Sequence, residues 1–290
     1  MVFETSEQLA PPPSTRTRHA LRRLARSPAA IVATLTLLVM LAFMLVPDLV
    51  AGQDPEAVSP ASLLRPPSWE HLFGTDQLGR DLFSRVVHSA RPALLVALAA
   101  TGFAVLAGSL IGLLAGFLGG WVDAVLMRVV DVLLAFPALL LALAVVAVLG
   151  SSAVNVAIAV GVSNLATFSR VVRAQVLHVR TRPYVAAARL SGVRAPLVVL
   201  RHVIPNAAGP VVLLGLLGLG VAMLASSSLS FLGFGPRPPE TDWGTLAAAG
   251  RDYLGSAWWL TTFPSLVVVA TVLAATTFGR VFQQQQGEGR

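Results

Sequence analysis

Six stretches of this chain carry no charged residue at all, and that pattern limits the fold more than any other feature. They cover residues 29–46, 93–118, 132–149, 154–168, 207–232 and 258–278. A helix needs roughly 20 apolar residues to cross a bilayer, or about 17 at the short end. The fourth stretch is the shortest and must borrow Ser152, Val171 and Val172 at its ends. Only 12% of the 290 residues are charged and 55% are hydrophobic, whereas soluble domains carry about 25% charged residues. The expectation is an all-α membrane protein with six transmembrane helices. An even number of crossings puts both termini on one side.

Arginine placement supplies the orientation. With the N-terminus inside, the cytoplasmic segments hold Arg16, Arg18, Arg22, Arg23, Arg26, Arg128, the seven arginines from Arg170 to Arg201, Arg280 and Arg290. Six lie outside: Arg65, Arg80, Arg85, Arg91, Arg237 and Arg251. Basic residues concentrate on the cytoplasmic side, so both termini are expected there. The chain then divides into a basic tail (1–28), a first uncleaved signal-anchor helix (29–47) and a polar extracytoplasmic segment (48–91). A five-helix core (92–282), with a cytoplasmic loop at about 170–206, and a short tail (283–290) follow.

Composition removes several chemistries. All basic residues are arginine, and there is no lysine or cysteine. The chain therefore has no P-loop lysine, no Schiff-base lysine and no thiol or disulfide. The net charge of +7 is split between apolar spans rather than gathered on one basic face, which argues against nucleic acid. His19, His71, His88, His178 and His202 show no metal-ligand spacing. Ser163, in "GVSN", has no histidine at its depth and reads as a serine bonded within its own helix.

Other features bear on packing. Gly108, Gly112, Gly116 and Gly120 share one helical face, as do Gly215 and Gly218, and suit close helix approach. That approach is expected within one bundle, with a second chain as the alternative. Pro137 and Pro264 are expected to kink their spans. Arg128 and Asp131 are three apart and are placed to pair on one face.

The loop between the fourth and fifth spans is the most informative segment. It reads "YVAAARLSGVRAPLVVLRHVIPN" from Tyr184 to Asn206. Pro183 suits a first helical turn, Ala186, Ala187 and Ala188 favour helix, and Gly192 provides a stop. Pro196 starts a second short helix with Leu197, Leu200 and Ile204 on one face. Pro205-Asn206 is expected to turn the chain into the fifth span. Two short helices would then lie on the cytoplasmic surface, one offering small residues to a partner's groove.

"YVAAARLSG" followed by "RHVIPN" resembles the coupling loop of ATP-binding-cassette importer permeases. "FGTDQLGRDLFSRVVHSAR", "GGWVDAVLMRVVDVLLAFPALLLAL" and "FLGFGPRPPETDWGTLAAAGRDYLGSAWWLTTFP" resemble one branch, the C-type permeases of dipeptide, oligopeptide and nickel importers. The resemblance implies a type-I importer permease fold without a cofactor or catalytic site. It implies two cytoplasmic ATP-binding subunits, a second permease subunit, usually a different chain, and an extracytoplasmic binding protein. It assigns ATPase coupling to Tyr184, Ala186, Ala187, Ala188 and Gly192, with Arg189, His202, Pro205 and Asn206 shaping the loop. Gly74, Thr75, Asp76, Gly79, Arg80, Asp81 and Trp243 would shape the outer mouth. The chain departs from the pattern at Ala186, where the family has glutamate, and at Pro183, where an acid is usual.

Peptides are the cargo this branch implies. Nickel chelates, heme and other small solutes remain alternatives. A stand-alone secondary transporter would call for charged or unwound sites in mid-span, which the sequence does not show.

Overall fold

The computed structural model describes residues 28–237 and 240–287. The tail carrying Arg16 to Arg26, Pro238, Pro239 and the last three residues lie outside the described residues. Among the described residues the architecture is all-α, with one isolated β-bridge between Thr75 and Asp81.

The first apolar run forms α1 (Pro28–Leu45). The polar segment after it coils without long helices until α2 (Leu82–His88), which passes through Ser89 into α3 (Ala90–Leu118). Next come α4 (Gly120–Ala135) and α5 (Ala138–Leu149), then α6 (Ala153–Arg180) and α7 (Pro183–Leu190). The short α8 (Ala195–Val198) leads into α9 (Ile204–Leu229). The bundle closes with α10 (Trp243–Ala249) and α11 (Trp259–Gly287).

Among the described residues, five helices are long and apolar enough to cross a membrane, and the α4–α5 pair makes six if counted as one crossing. That pair corresponds to the third expected span, and it is broken rather than kinked. α4 and α5 meet at 96°. The break falls at Phe136-Pro137, where extended backbone interrupts the helix. Proline disfavours helical backbone in the residue before it, and its ring removes a helix hydrogen bond. Pro264, by contrast, is carried inside α11 without a break.

The fourth span is longer than its apolar run. α6 continues through Arg170, Arg173 and Arg180, so the first part of segment 170–206 is helix. α11 likewise runs to Gly287, taking in part of the expected tail.

Glycine spacing explains the tightest packing, between α3 and α6. A Cβ on Gly108 would lie 2.7 Å from the Phe168 Cβ, and one on Gly112 would lie 2.5 Å from the Ser169 carbonyl oxygen. One on Gly116 would lie 2.9 Å from the Val176 Cβ. The three glycines are a groove for α6 of the same chain, as expected. Gly218 meets the Phe168 ring from α9, which brings a third helix onto the same seam. Gly120 does not join the stripe. It follows Gly119 beyond the end of α3, with nothing within 4 Å of the position a Cβ would take.

Two buried apolar clusters hold the bundle. One gathers at the end formed by segment 48–91 and α10, around Leu82, Val86, Val87, Trp243, Leu260 and Leu229. The other lies at the arginine-rich end around Val172, Val176, Val179, Val185, Val198 and Val203.

Candidate functional site: the arginine-rich loop and the outer wall

The loop after α6 is anchored by one residue and otherwise uncovered. Val185 is fully buried against the inner cluster. Around it, Tyr184, Ala186, Ala187 and Arg189 are exposed and Ala188 is half-buried. Leu190, at the end of α7, is 90% exposed. Gly192 ends α7 with φ +79°, a left-handed conformation that L side chains rarely adopt. Open space surrounds the point where its Cβ would be, so backbone geometry rather than crowding calls for glycine.

The rest of the loop is braced from two sides. Arg180 Nη1 donates to the Gly116 carbonyl at 2.6 Å. The Arg189 guanidinium lies 5.2 Å from the centre of the Phe117 ring, a cation–π distance. The Tyr184 and His202 rings are 6.3 Å apart. Asn206 Nδ2 donates to the His202 carbonyl at 2.7 Å.

The expected turn at Pro205-Asn206 is absent. Instead the chain runs on from α8 through a π-helical stretch, Val199–Val203, directly into α9. Pro205 sits in the first turn of α9. Proline lacks an N–H and crowds the carbonyl four residues back, and a π-bulge widens the helix at such a point. The second short helix is thus the first turn of a span and not a separate surface helix.

Two interhelical ion pairs flank this end. Arg173 Nε and Nη2 grip the two oxygens of Asp123 at 2.5 and 2.6 Å. Arg170 Nη2 reaches Asp131 at 2.7 Å. Asp131 therefore pairs across to α6 rather than with Arg128 on its own helix, because α4 lies alongside α6. Nothing in the sequence pointed to these pairs, whose partners are 50 and 39 residues apart. Ser163 Oγ donates to the Val160 carbonyl at 2.8 Å, the bond within its own helix that the sequence suggested.

At the opposite end, the residues singled out for the outer mouth form a folded wall. Asp76 is buried and accepts from the backbone N–H groups of Leu78 and Arg80, from Arg80 Nε and from Arg85 Nη1. Glu56 closes the network on Arg80 at 2.9 Å. The Thr75 hydroxyl donates to the Ser62 carbonyl and accepts from the Arg65 N–H. Asp81 caps α2 through the Ser84 N–H and meets His71 Nδ1 at 2.9 Å. Gly74, at φ +77°, lets the Trp259 indole close over the turn, and that indole donates to the Thr75 carbonyl. Gly79 packs on the Ser59 backbone.

Trp243 is fully buried and donates from Nε1 to the Val86 carbonyl at 2.8 Å. Beside it, Asp242 and Thr245 form a capping box at the start of α10. The Ser230 hydroxyl donates to Asp242 at 2.6 Å. Burial pushes the Asp242 carboxyl above its usual range, against these hydrogen bonds, which favour the charged form. Beyond the motif resemblance, the i,i+4 spacing of Asp76 and Arg80 is a local signal of this pairing. The roles of Arg85 and Glu56 in the wall had no such signal.

Residues 108–287 match the family described as binding-protein-dependent transport system inner membrane component. The chain is 34% identical over 281 residues to a dipeptide transport system permease protein of Alkalihalophilus pseudofirmus, covering 95% of this chain and 92% of that one. It is 40% identical over 236 residues to a di/tripeptide transport system permease protein of Pseudomonas aeruginosa, covering 79% and 78%. It is 37% identical over 263 residues to a glutathione transport system permease protein of Pectobacterium atrosepticum, covering 89% and 86%. With its all-helical bundle and this match over most of its length, the chain belongs to the family of inner-membrane components of binding-protein-dependent transport systems, multi-pass permease subunits of the cytoplasmic membrane.

Proposed function

We propose that the chain is one of two permease subunits of an ATP-binding-cassette importer for short peptides. Relatives named for dipeptides, di/tripeptides and glutathione match it over most of its length, and this carries the choice of peptide as cargo. The second permease is a different chain. Two cytoplasmic ATP-binding subunits dock on α7, where Tyr184, Ala186, Ala187 and Leu190 are uncovered. An extracytoplasmic binding protein delivers peptide to the face built from segments 48–91 and 233–257. This chain hydrolyses no ATP and performs no chemistry of its own.

The mechanism follows from how the loop is attached. ATP binding brings the two ATP-binding subunits together and displaces α7. Val185 ties α7 to the inner cluster. The unbroken run from α8 to α9 carries the displacement into a spanning helix, tipping the bundle from inward- to outward-facing. Arg189, His202, Pro205 and Asn206 keep the loop in shape during that movement. The family glutamate is replaced by Ala186, and Pro183 at the first turn of α7 keeps the helix start defined.

Purification of the tagged protein from its native membrane in mild detergent tests the assembly. Two ATP-binding subunits and a second, different permease are expected to co-purify, and peptide-loaded binding protein should stimulate ATP hydrolysis. Recovery of this chain alone, with uptake independent of ATP, would overturn the proposal in favour of a stand-alone transporter.

A further inference from the structure

A cleft of about 450 Å³ opens at the outer end, between segment 48–91, α2, the start of α3, the start of α6 and the loop before α10. It falls within the size range of small-ligand sites, about 300–1,000 Å³. Part of its lining is apolar, with Leu95, Val96 and Ala153. Its rim carries both signs of charge.

Most of those charges are already engaged. Glu56 holds Arg80, and Arg85 holds Asp76 at 2.7 Å. His88 faces the Ser84 carbonyl with Nδ1 and Asp48 with Nε2. Two charged residues are left over, Arg91 and Glu240. Both line the cleft, both are exposed, and neither has a polar partner among the described residues.

One free cation, one free anion and an apolar lining complement a ligand with an ammonium at one end and a carboxylate at the other. We propose that this cleft is a binding site on the permease itself for short zwitterionic peptides, with Glu240 taking the terminal ammonium and Arg91 the terminal carboxylate. Arg–carboxylate pairs are well suited to that role because two N–H groups can bind both oxygens. The proposal deepens the importer reading above and rests on it. Peptide would be held here by its termini, which all peptides share, whatever its side chains.

The chain has no cysteine, so Leu95→Cys places one reporter thiol in the cleft of the assembled importer. Its rate of modification by a membrane-impermeant maleimide is measured in membranes, without binding protein, in the presence of alanyl-alanine. At about twice Kd the peptide should slow labelling about threefold. N-acetyl-alanyl-alanine and alanyl-alanine amide should protect far less. Glu240→Gln should erase the preference over the acetylated peptide, and Arg91→Gln the preference over the amide.

Equal protection by free and capped peptides, or none by any, would overturn the site. Protection by the binding protein alone, with the peptide silent, would make the cleft a docking surface and overturn it too. ATP-driven uptake of labelled alanyl-alanine is followed in parallel with the unmodified importer and its binding protein. Uptake without protection rejects the cleft and leaves the importer standing. Charge-dependent protection without uptake rejects the peptide-importer reading and leaves the cleft as a zwitterion site.

Discussion

At the scale of single residues, Gly192 carries the sharpest expectation. Its φ of +79° ends α7, and no atom crowds the position of a Cβ. A side chain there has room but the wrong backbone, at a cost of about 1–3 kcal/mol. Gly192→Trp should therefore leave the protein inserted in the membrane, since the bundle does not touch this position. It should abolish ATP-driven uptake, because the indole would stand on the surface proposed above to dock an ATP-binding subunit. Immunoblotting of membranes and an uptake assay separate the two effects. Normal uptake by this variant would remove α7 from the coupling role.

At the scale of elements, the bent pair α4–α5 is held to α6 by Asp123–Arg173 and Asp131–Arg170. The first pair is bidentate and partly buried, so its loss matters more than that of an exposed pair, worth about 0–1 kcal/mol. Asp123→Arg or Arg173→Asp alone places like charges together and should lower uptake at least about tenfold, the effect of roughly 1.4 kcal/mol. The exchange of both should recover most of the wild-type rate. A double variant no better than the worse single one would mean that the pair does not act as a unit. These contacts mark where sequence reading ran out. Spans, glycine seam and loop helix were visible because they depend on local periodicity and spacing. The break at Pro137 was foreseen only as a kink, because its angle is set by what α5 packs against. The continuity through Pro205 was missed because a π-bulge leaves no pattern in residue types.

At the scale of the whole molecule, the two ends are built on different principles. The outer wall is closed by buried polar networks centred on Asp76, Asp81 and Asp242, whereas the arginine-rich end is held by valines and leaves its loop uncovered. The sequence marked both regions through motifs, but it could not show that most of the outer residues, such as Thr75 and Trp243, are turned inward. Side-chain direction there depends on segments far apart in the chain, as with Trp259 and Thr75, which are separated by 184 positions. The orientation is open to a direct check. In this cysteine-free background, Ser68→Cys should react with a membrane-impermeant maleimide added to intact cells. Ser191→Cys should react only after the membrane is permeabilised. The reverse pattern would invert the topology.

The glycine groove between α3 and α6 has a consequence for motion. Backbone atoms of one helix lie where side chains of the other would normally stand, at three successive turns. Helices meshed that closely cannot slide or rotate past one another without collision. They form one rigid unit, a frame that any rearrangement of the bundle must carry as a whole. Widening any one of the three glycines to alanine would wedge the frame itself rather than block a moving part.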